Sequence, residues 1–427
     1  MRLSIKLPLK GPIELPLIDR PHVTFIIGIM VRFLLMIYTS HTRIWEQVQL
    51  IDTAYVSDLN PMMRTRSIGT SFYLFYVPFY GIFRLLEGSN IQYRYVLVFL
   101  FKIPALMGDL IIYYCLYTLS YRLSKDKKRS LLVAEAFFLN PFVIYTSAVT
   151  GGFELLMVSF ILLAMSNIAS KTSLSAVYSA VGSFFRGLFL GLLFPVFLCS
   201  LWPRRKTILT FILMFALSSL ALTMPYLVFL IPLYLNSSWS SFLAYTLGFF
   251  ALGPAPATTF PVNSLYIYRF SPAPFFLKLN LWHVVAPLFQ MRVFFLVYIF
   301  LVGLAVYWVW RQTRTSSFDG NERIKTINLF VVLILGFFLF LSPKIEKGFF
   351  AWLIPFLFFE SYILRGIPKY YVHGLWLSVF LTSPVIDVEI VKWLSEVVNF
   401  QAVVELRTKI LMVLGGSGDY FSVGWNL

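Results

Sequence analysis

The chain is dominated by a succession of apolar runs, each about 17 to 28 residues long and separated by polar turns or longer loops, a length that crosses ~30 Å of hydrocarbon. Hydrocarbon offers no water to a backbone amide, so such runs must satisfy their own N–H and C=O groups as helices. The expected fold class is therefore all-α: a polytopic helical membrane protein. Composition agrees, since 59% of residues are hydrophobic and 13% charged, where a soluble domain has roughly half and a quarter. Spans and connecting loops use nearly all of the 427 residues. Residues 1–427 are read as a single integral membrane domain, with no separate soluble one.

Subtracting 19 Asp and Glu from 35 Lys and Arg leaves a net charge of +16. In a membrane protein this excess reflects cytoplasmic loops that collect cations, so no nucleic-acid partner is implied. Cys115 and Cys199 both lie inside apolar runs and form no disulfide framework. His22, His41, His283 and His373 are scattered without metal-ligand spacing. Neither a metal nor a cofactor is expected. Residues 1–22 form a short basic amphiphile, with Arg2, Lys6 and Lys10, that is expected to stay cytoplasmic.

The positive-inside rule orients the rest. A first span at 23–39 carries Arg32 and leads into a first outer loop, 40–94. Residues 71–86, interrupted by Pro78 and Gly81, are laid on the outer interface, because a crossing there would turn the basic loop Arg122-Leu-Ser-Lys-Asp-Lys-Lys-Arg129 outward. Spans follow at 95–121, 131–149 and 154–170, then a broken hairpin at 173–202 with Arg186 near its apex, then a span at 207–235. A second outer segment, 236–291, begins with the sequon Asn236-Ser-Ser238. Spans at 292–310, 326–342, 349–365 and 371–386 precede an outer tail, 387–427. The total is about nine full spans plus the broken hairpin and interfacial helices. No solenoid repeat is visible and no inverted repeat can be defended.

The acids of interest are those pressed against the outer surface. Glu46 and Asp52 lie six residues apart in an amphipathic stretch beyond the first span, so they do not share a helical face and one acid would act alone. A lone carboxylate suffices as general base for an alcohol attacking an activated sugar whose leaving group is a lipid phosphate. The competing reading is a solvated interfacial helix with Glu46 beside Arg43. Lys102 and Asp109 sit seven residues apart on one face of a span. Lys102 is a candidate for a lipid phosphate; Asp109 would orient it or anchor a neighbouring Arg, and the alternative is a buried charge pair that fixes packing. Asn140-Pro141 is expected to kink the third span, and Gly151-Gly152-Phe153-Glu154 puts an acid on a turn of small residues open to close approach. In the turn Ser342-Pro343-Lys344-Ile345-Glu346-Lys347, two lysines at the hydrocarbon boundary are candidate phosphate ligands or ordinary snorkelling charges. Arg186 is a candidate for the same role, or for pairing with Asp109.

Together these motifs resemble the GT-C superfamily of polytopic glycosyltransferases, in particular the polyprenyl-phosphate-mannose-dependent mannosyltransferases. The likeness rests in order on the first outer loop with its acids, Lys102 through Asp109, Asn140-Pro141, Gly151 to Glu154, and Ser342 to Lys347 running on to Trp352-Leu-Ile-Pro355. It covers residues 23–365 with short motifs. Two positions differ: the first-loop acid of the family is usually Asp, where this chain offers Glu46, Asp52 and Asp58, and Ile345 replaces a frequent His.

The resemblance implies inverting transfer of a hexose, mannose foremost, from a polyprenyl-phosphate sugar to a lipid-linked glycan or glycolipid on the outer or lumenal face. The catalytic candidates are Glu46, Asp52 and Glu154. Lys102, Arg186, Lys344 and Lys347 would bind the donor phosphate, and Asp109, Asn140 and Glu346 would orient the site. Partners would be the donor, the acceptor, membrane lipids and a partner subunit. The location would be the cell membrane of a prokaryote or the endoplasmic reticulum membrane. The rival readings are a lipid or solute transporter, which needs charges along a midplane path, and a non-catalytic subunit of a membrane glycosylation complex.

Overall fold

The computed structural model describes residues 4–5, 13–14, 21–39, 44, 47–48, 51, 70–86, 93–185, 194, 196–201, 204–235, 299–300, 302–304, 306–308, 310–312, 320–341 and 350–382. Apart from a two-residue antiparallel pairing of Ser4–Ile5 with Ile13–Glu14, the described elements are helices. In chain order they are α1 (Pro21–Tyr38), α2 (Thr70–Leu86), α3 (Tyr93–Ser124), α4 (Lys127–Phe138), α5 (Pro141–Ile144, widening through Tyr145–Val149), α6 (Glu154–Asn167), α7 (Thr172–Ser183), α8 (Arg205–Leu235), α9 (Gly320–Leu341), α10 (Phe350–Phe359, widening through Glu360–Leu364) and α11 (Lys369–Thr382).

Among the described residues, two helices are long and apolar enough to cross a membrane: α3 over Val96–Ser124 and α8 over Arg205–Met224. The number rises to three when α4 and α5 are taken as one bent span. The expected count of about nine is not reached on this measure. The apolar stretches of α1, α2, α6 and α10 are shorter than a full span, and other expected spans lie partly outside the described residues.

Burial sorts the helices into centre and periphery. α3 packs along α4 and α6 and is mostly enclosed. α8 keeps an apolar stripe uncovered, with Leu209, Leu213, Leu217, Leu220 and Met224 half exposed or more. α1 does the same with Ile26, Met30 and Leu34. A stripe repeating every four residues on one helical face is what a bilayer covers.

Close approach at the centre depends on Gly108. A Cβ there would stand 2.5 Å from the Leu156 backbone nitrogen and 2.7 Å from the Leu155 carbonyl carbon, so α3 and α6 meet backbone to backbone. α6 and α7 form an antiparallel hairpin in which the Ser175 hydroxyl donates to the Ala164 carbonyl at 2.7 Å and Gly182 lies against Phe160 and Ile161.

The break between α4 and α5 bends the chain by 48°. Pro141 has no N–H to continue the helix, and the Asn140 side-chain oxygen accepts from the N–H groups of Phe142 (2.9 Å) and Val143 (3.2 Å), starting a new one.

The basic loops collect at one end of the bundle. Asp126 caps α4 by accepting from the Arg129 N–H at 3.1 Å, and the Arg129 guanidinium reaches the Tyr362 and Ile363 carbonyls. A Cβ on Gly320 would lie 3.0 Å from Arg122 Nη2 and 3.1 Å from the Ala169 methyl, so the start of α9 joins the same end. The C-terminus of α1, the start of α3 and the Gly151 turn lie at the opposite end.

Candidate functional site

The charged centre of the bundle is an ion pair between the first and third helices. Arg32 Nε donates to Asp109 Oδ2 at 2.7 Å, and both side chains are wholly buried. The rest of the guanidinium is used as well: Nη1 reaches the Gly28 carbonyl at 3.1 Å, Nη2 the Phe138 carbonyl at 2.7 Å, and the group lies 4.0 Å from the centre of the Phe138 ring. Asp109 thus anchors an arginine, as one of the sequence readings had it. The arginine is Arg32, not Arg186, which lies outside the described residues.

Two turns up α3, Lys102 is fully buried and has a different set of partners. Its ammonium donates to the Thr39 carbonyl, to the Thr39 hydroxyl at 2.9 Å and to the Met36 carbonyl at 3.3 Å, with the Leu35 carbonyl at 3.4 Å. These carbonyls belong to the last turn of α1, where the Leu35 carbonyl also accepts the Thr39 N–H at 3.0 Å, and a cation there meets the negative end of the helix dipole. Lys102 therefore clamps the point where α1 passes into the segment that follows it.

That segment folds back onto the same place. Ile44, Gln47 and Ile51 are buried at helical spacing, and Gln47 Nε2 donates to the Gly151 carbonyl at 3.3 Å. Gly151 has φ of +61°, a conformation that suits glycine, and a Cβ on it would touch the Ile44 side chain at 3.1 Å and the Lys102 stem at 3.2 Å. The turn is thus a junction between the segment after α1 and α3.

Glu154, the first residue of α6, is wholly buried. Its carboxylate folds back over Gly152, where a Cβ would come within 2.4 Å of Oε2. Phe153 stacks on Phe185 with ring centres 6.1 Å apart, which carries the end of α7 to the same turn. Four separated pieces of chain therefore meet around an acid, a buried ammonium and two glycines.

Of the residues singled out in the sequence, Lys102, Asp109, Asn140 and Glu154 are described, and Lys102 and Glu154 both border the Gly151 turn. Glu46, Asp52, Arg186, Lys344, Glu346 and Lys347 lie outside the described residues. Glu46 precedes Gln47 in the chain, and Arg186 follows Phe185. Sequence reasoning missed Thr39 and Gln47, whose polar side chains carried no signal beyond their position after the first span. Among the described residues, no three His, Cys, Asp or Glu side chains gather at metal-binding range. No family model, curated protein or solved structure matches the chain.

Proposed function

We propose that the protein is a multi-pass membrane glycosyltransferase of the GT-C type, using a polyprenyl-phosphate hexose, mannose foremost, as donor and a lipid-linked glycan or glycolipid as acceptor. The observation that carries this reading is the meeting of the first outer segment, Lys102 and the Gly151 to Glu154 turn at the end of the bundle opposite the basic loops. Those pieces, far apart in the chain, are the ones on which the family resemblance rests. By the positive-inside rule this end faces outward, and about nine spans would then complete the topology.

The chemistry asked of the site is modest. The acceptor hydroxyl attacks the anomeric carbon, a carboxylate takes its proton, and the bond to the polyprenyl phosphate breaks with its electron pair leaving on phosphate. The carboxylate is one of Glu46, Asp52 and Glu154. Lys344, Lys347 and Arg186 are the proposed cations for the leaving phosphate. Lys102 is assigned to holding the first outer segment, because its donors are already taken by the α1 terminus.

The test is transfer by purified protein in lipid, with labelled polyprenyl-phosphate mannose or glucose and a membrane glycolipid extract. Glu46→Gln, Asp52→Asn and Glu154→Gln are assayed alongside the unaltered chain. One of the three is expected to lose transfer by about 10²- to 10⁴-fold while remaining folded. Absence of transfer with either donor from folded protein overturns the reading.

A further inference from the structure

At the opposite end, the short link between α10 and α11 gathers three cations around Tyr362. The Arg129 guanidinium sits on the Tyr362 carbonyl, with Nε at 2.7 Å, and reaches the Ile363 carbonyl at 3.4 Å. The Lys369 ammonium lies 4.3 Å from the centre of the Tyr362 ring. Arg365, with φ of +61°, closes the wide last turn of α10. The link is stiffened by Pro368, whose carbonyl accepts from the Tyr371 N–H at 3.1 Å.

This cluster holds more positive than negative charge. Among the described residues, no carboxylate pairs with Arg365 or Lys369. Two acids lie nearby: Asp126 caps α4 and offsets part of the repulsion on Arg129, and Glu360 accepts from Asn328 Nδ2 at 2.7 Å. The Lys369 ammonium is held below its ordinary range by partial burial and by the repulsion of Arg129 and Arg365. Three cations kept close outnumber the carboxylates beside them, which leaves room for an external anion.

The surroundings say which kind of anion. Tyr370 and Tyr371 are 67% and 61% exposed at the start of α11, and Leu375 and Leu377 continue the exposed apolar surface along the helix. Aromatic rings at a basic helix end followed by an uncovered apolar strip match the order of headgroup, interface and acyl chain in a lipid. A soluble phosphate would have no use for that strip.

We infer that the α10–α11 junction binds the phosphate headgroup of an anionic phospholipid, with Arg365, Lys369 and Arg129 as its cations and the exposed strip of α11 as the seat of its acyl chains. This inference rests on the membrane reading and is independent of any transferase activity.

The experiment uses the full chain in nanodiscs of phosphatidylcholine with and without phosphatidylglycerol, followed by native mass spectrometry of retained lipid. The unaltered protein is expected to retain phosphatidylglycerol selectively, and Arg365→Ala/Lys369→Ala to lose about tenfold or more of that retention. Arg129 is left in place because its guanidinium is already partly taken by the Tyr362 and Ile363 carbonyls. Arg205→Ala/Lys206→Ala, which removes the same charge from an exposed helix start elsewhere, is expected to retain the lipid. Equal loss in both double variants, unchanged retention in the first, or displacement of the lipid by inorganic phosphate alone would each overturn the proposal.

Discussion

The two ends of the helix bundle use the same device and put it to different uses. At one end Lys102 donates to the terminal carbonyls of α1; at the other Arg129 donates to the terminal carbonyls of α10. Lys102 is wholly buried, whereas Arg129 is partly exposed among Lys127, Lys128, Arg365 and Lys369, all exposed. A buried cation must have its donors filled by protein, so it fixes geometry. A cation at the water boundary is partly served by solvent, so it can serve topology or an external anion without holding the fold in place. The difference separates an end built for position from an end built for charge.

The largest expected effect lies between the two ends. Asp109→Asn would leave the Arg32 guanidinium buried without its counter-charge, a loss of about 3–5 kcal/mol. Thermal unfolding in detergent measures it, and Arg32→Met/Asp109→Leu should recover much of the stability. If Asp109→Asn unfolds like the parent, the pair does not organise the centre.

Gly152→Ala sharpens the contrast at the Lys102 end. The added methyl would meet the Glu154 carboxylate at 2.4 Å, so the acid must move. Transfer is expected to fall about ten- to a hundredfold with little change in unfolding temperature. A parallel fall in stability would make that turn structural only.

The smallest effect is expected at the basic end. Arg129→Ala removes two carbonyl contacts that solvent can partly replace, at a cost of about 1 kcal/mol, and leaves transfer unchanged. A loss of activity there would join the two ends functionally.

The class of fold was readable because hydrocarbon imposes a length and a composition on any helix that crosses it. The bend at Asn140-Pro141 was equally legible, since a missing N–H and a capping side chain are local facts. Asp109 was recognisable as a charge in need of a partner, but its choice of Arg32 over Lys102 was not. Lys102 and Asp109 share a helical face, and periodicity alone treats them as neighbours, while the packing of α3 along α1 sets Asp109 beside Arg32 and Lys102 against the last turn of α1.

By itself, then, the sequence determined the apolar helices, the basic loops that sort them and the stock of buried charges, because these follow from transfer of side chains and backbone out of water. Only the tertiary structure decided that Gln47, Lys102 and Glu154 border one turn while Arg129, Arg365 and Lys369 crowd another. Contacts between residues 63 to 233 positions apart depend on how helix faces pack, and no local pattern encodes that packing.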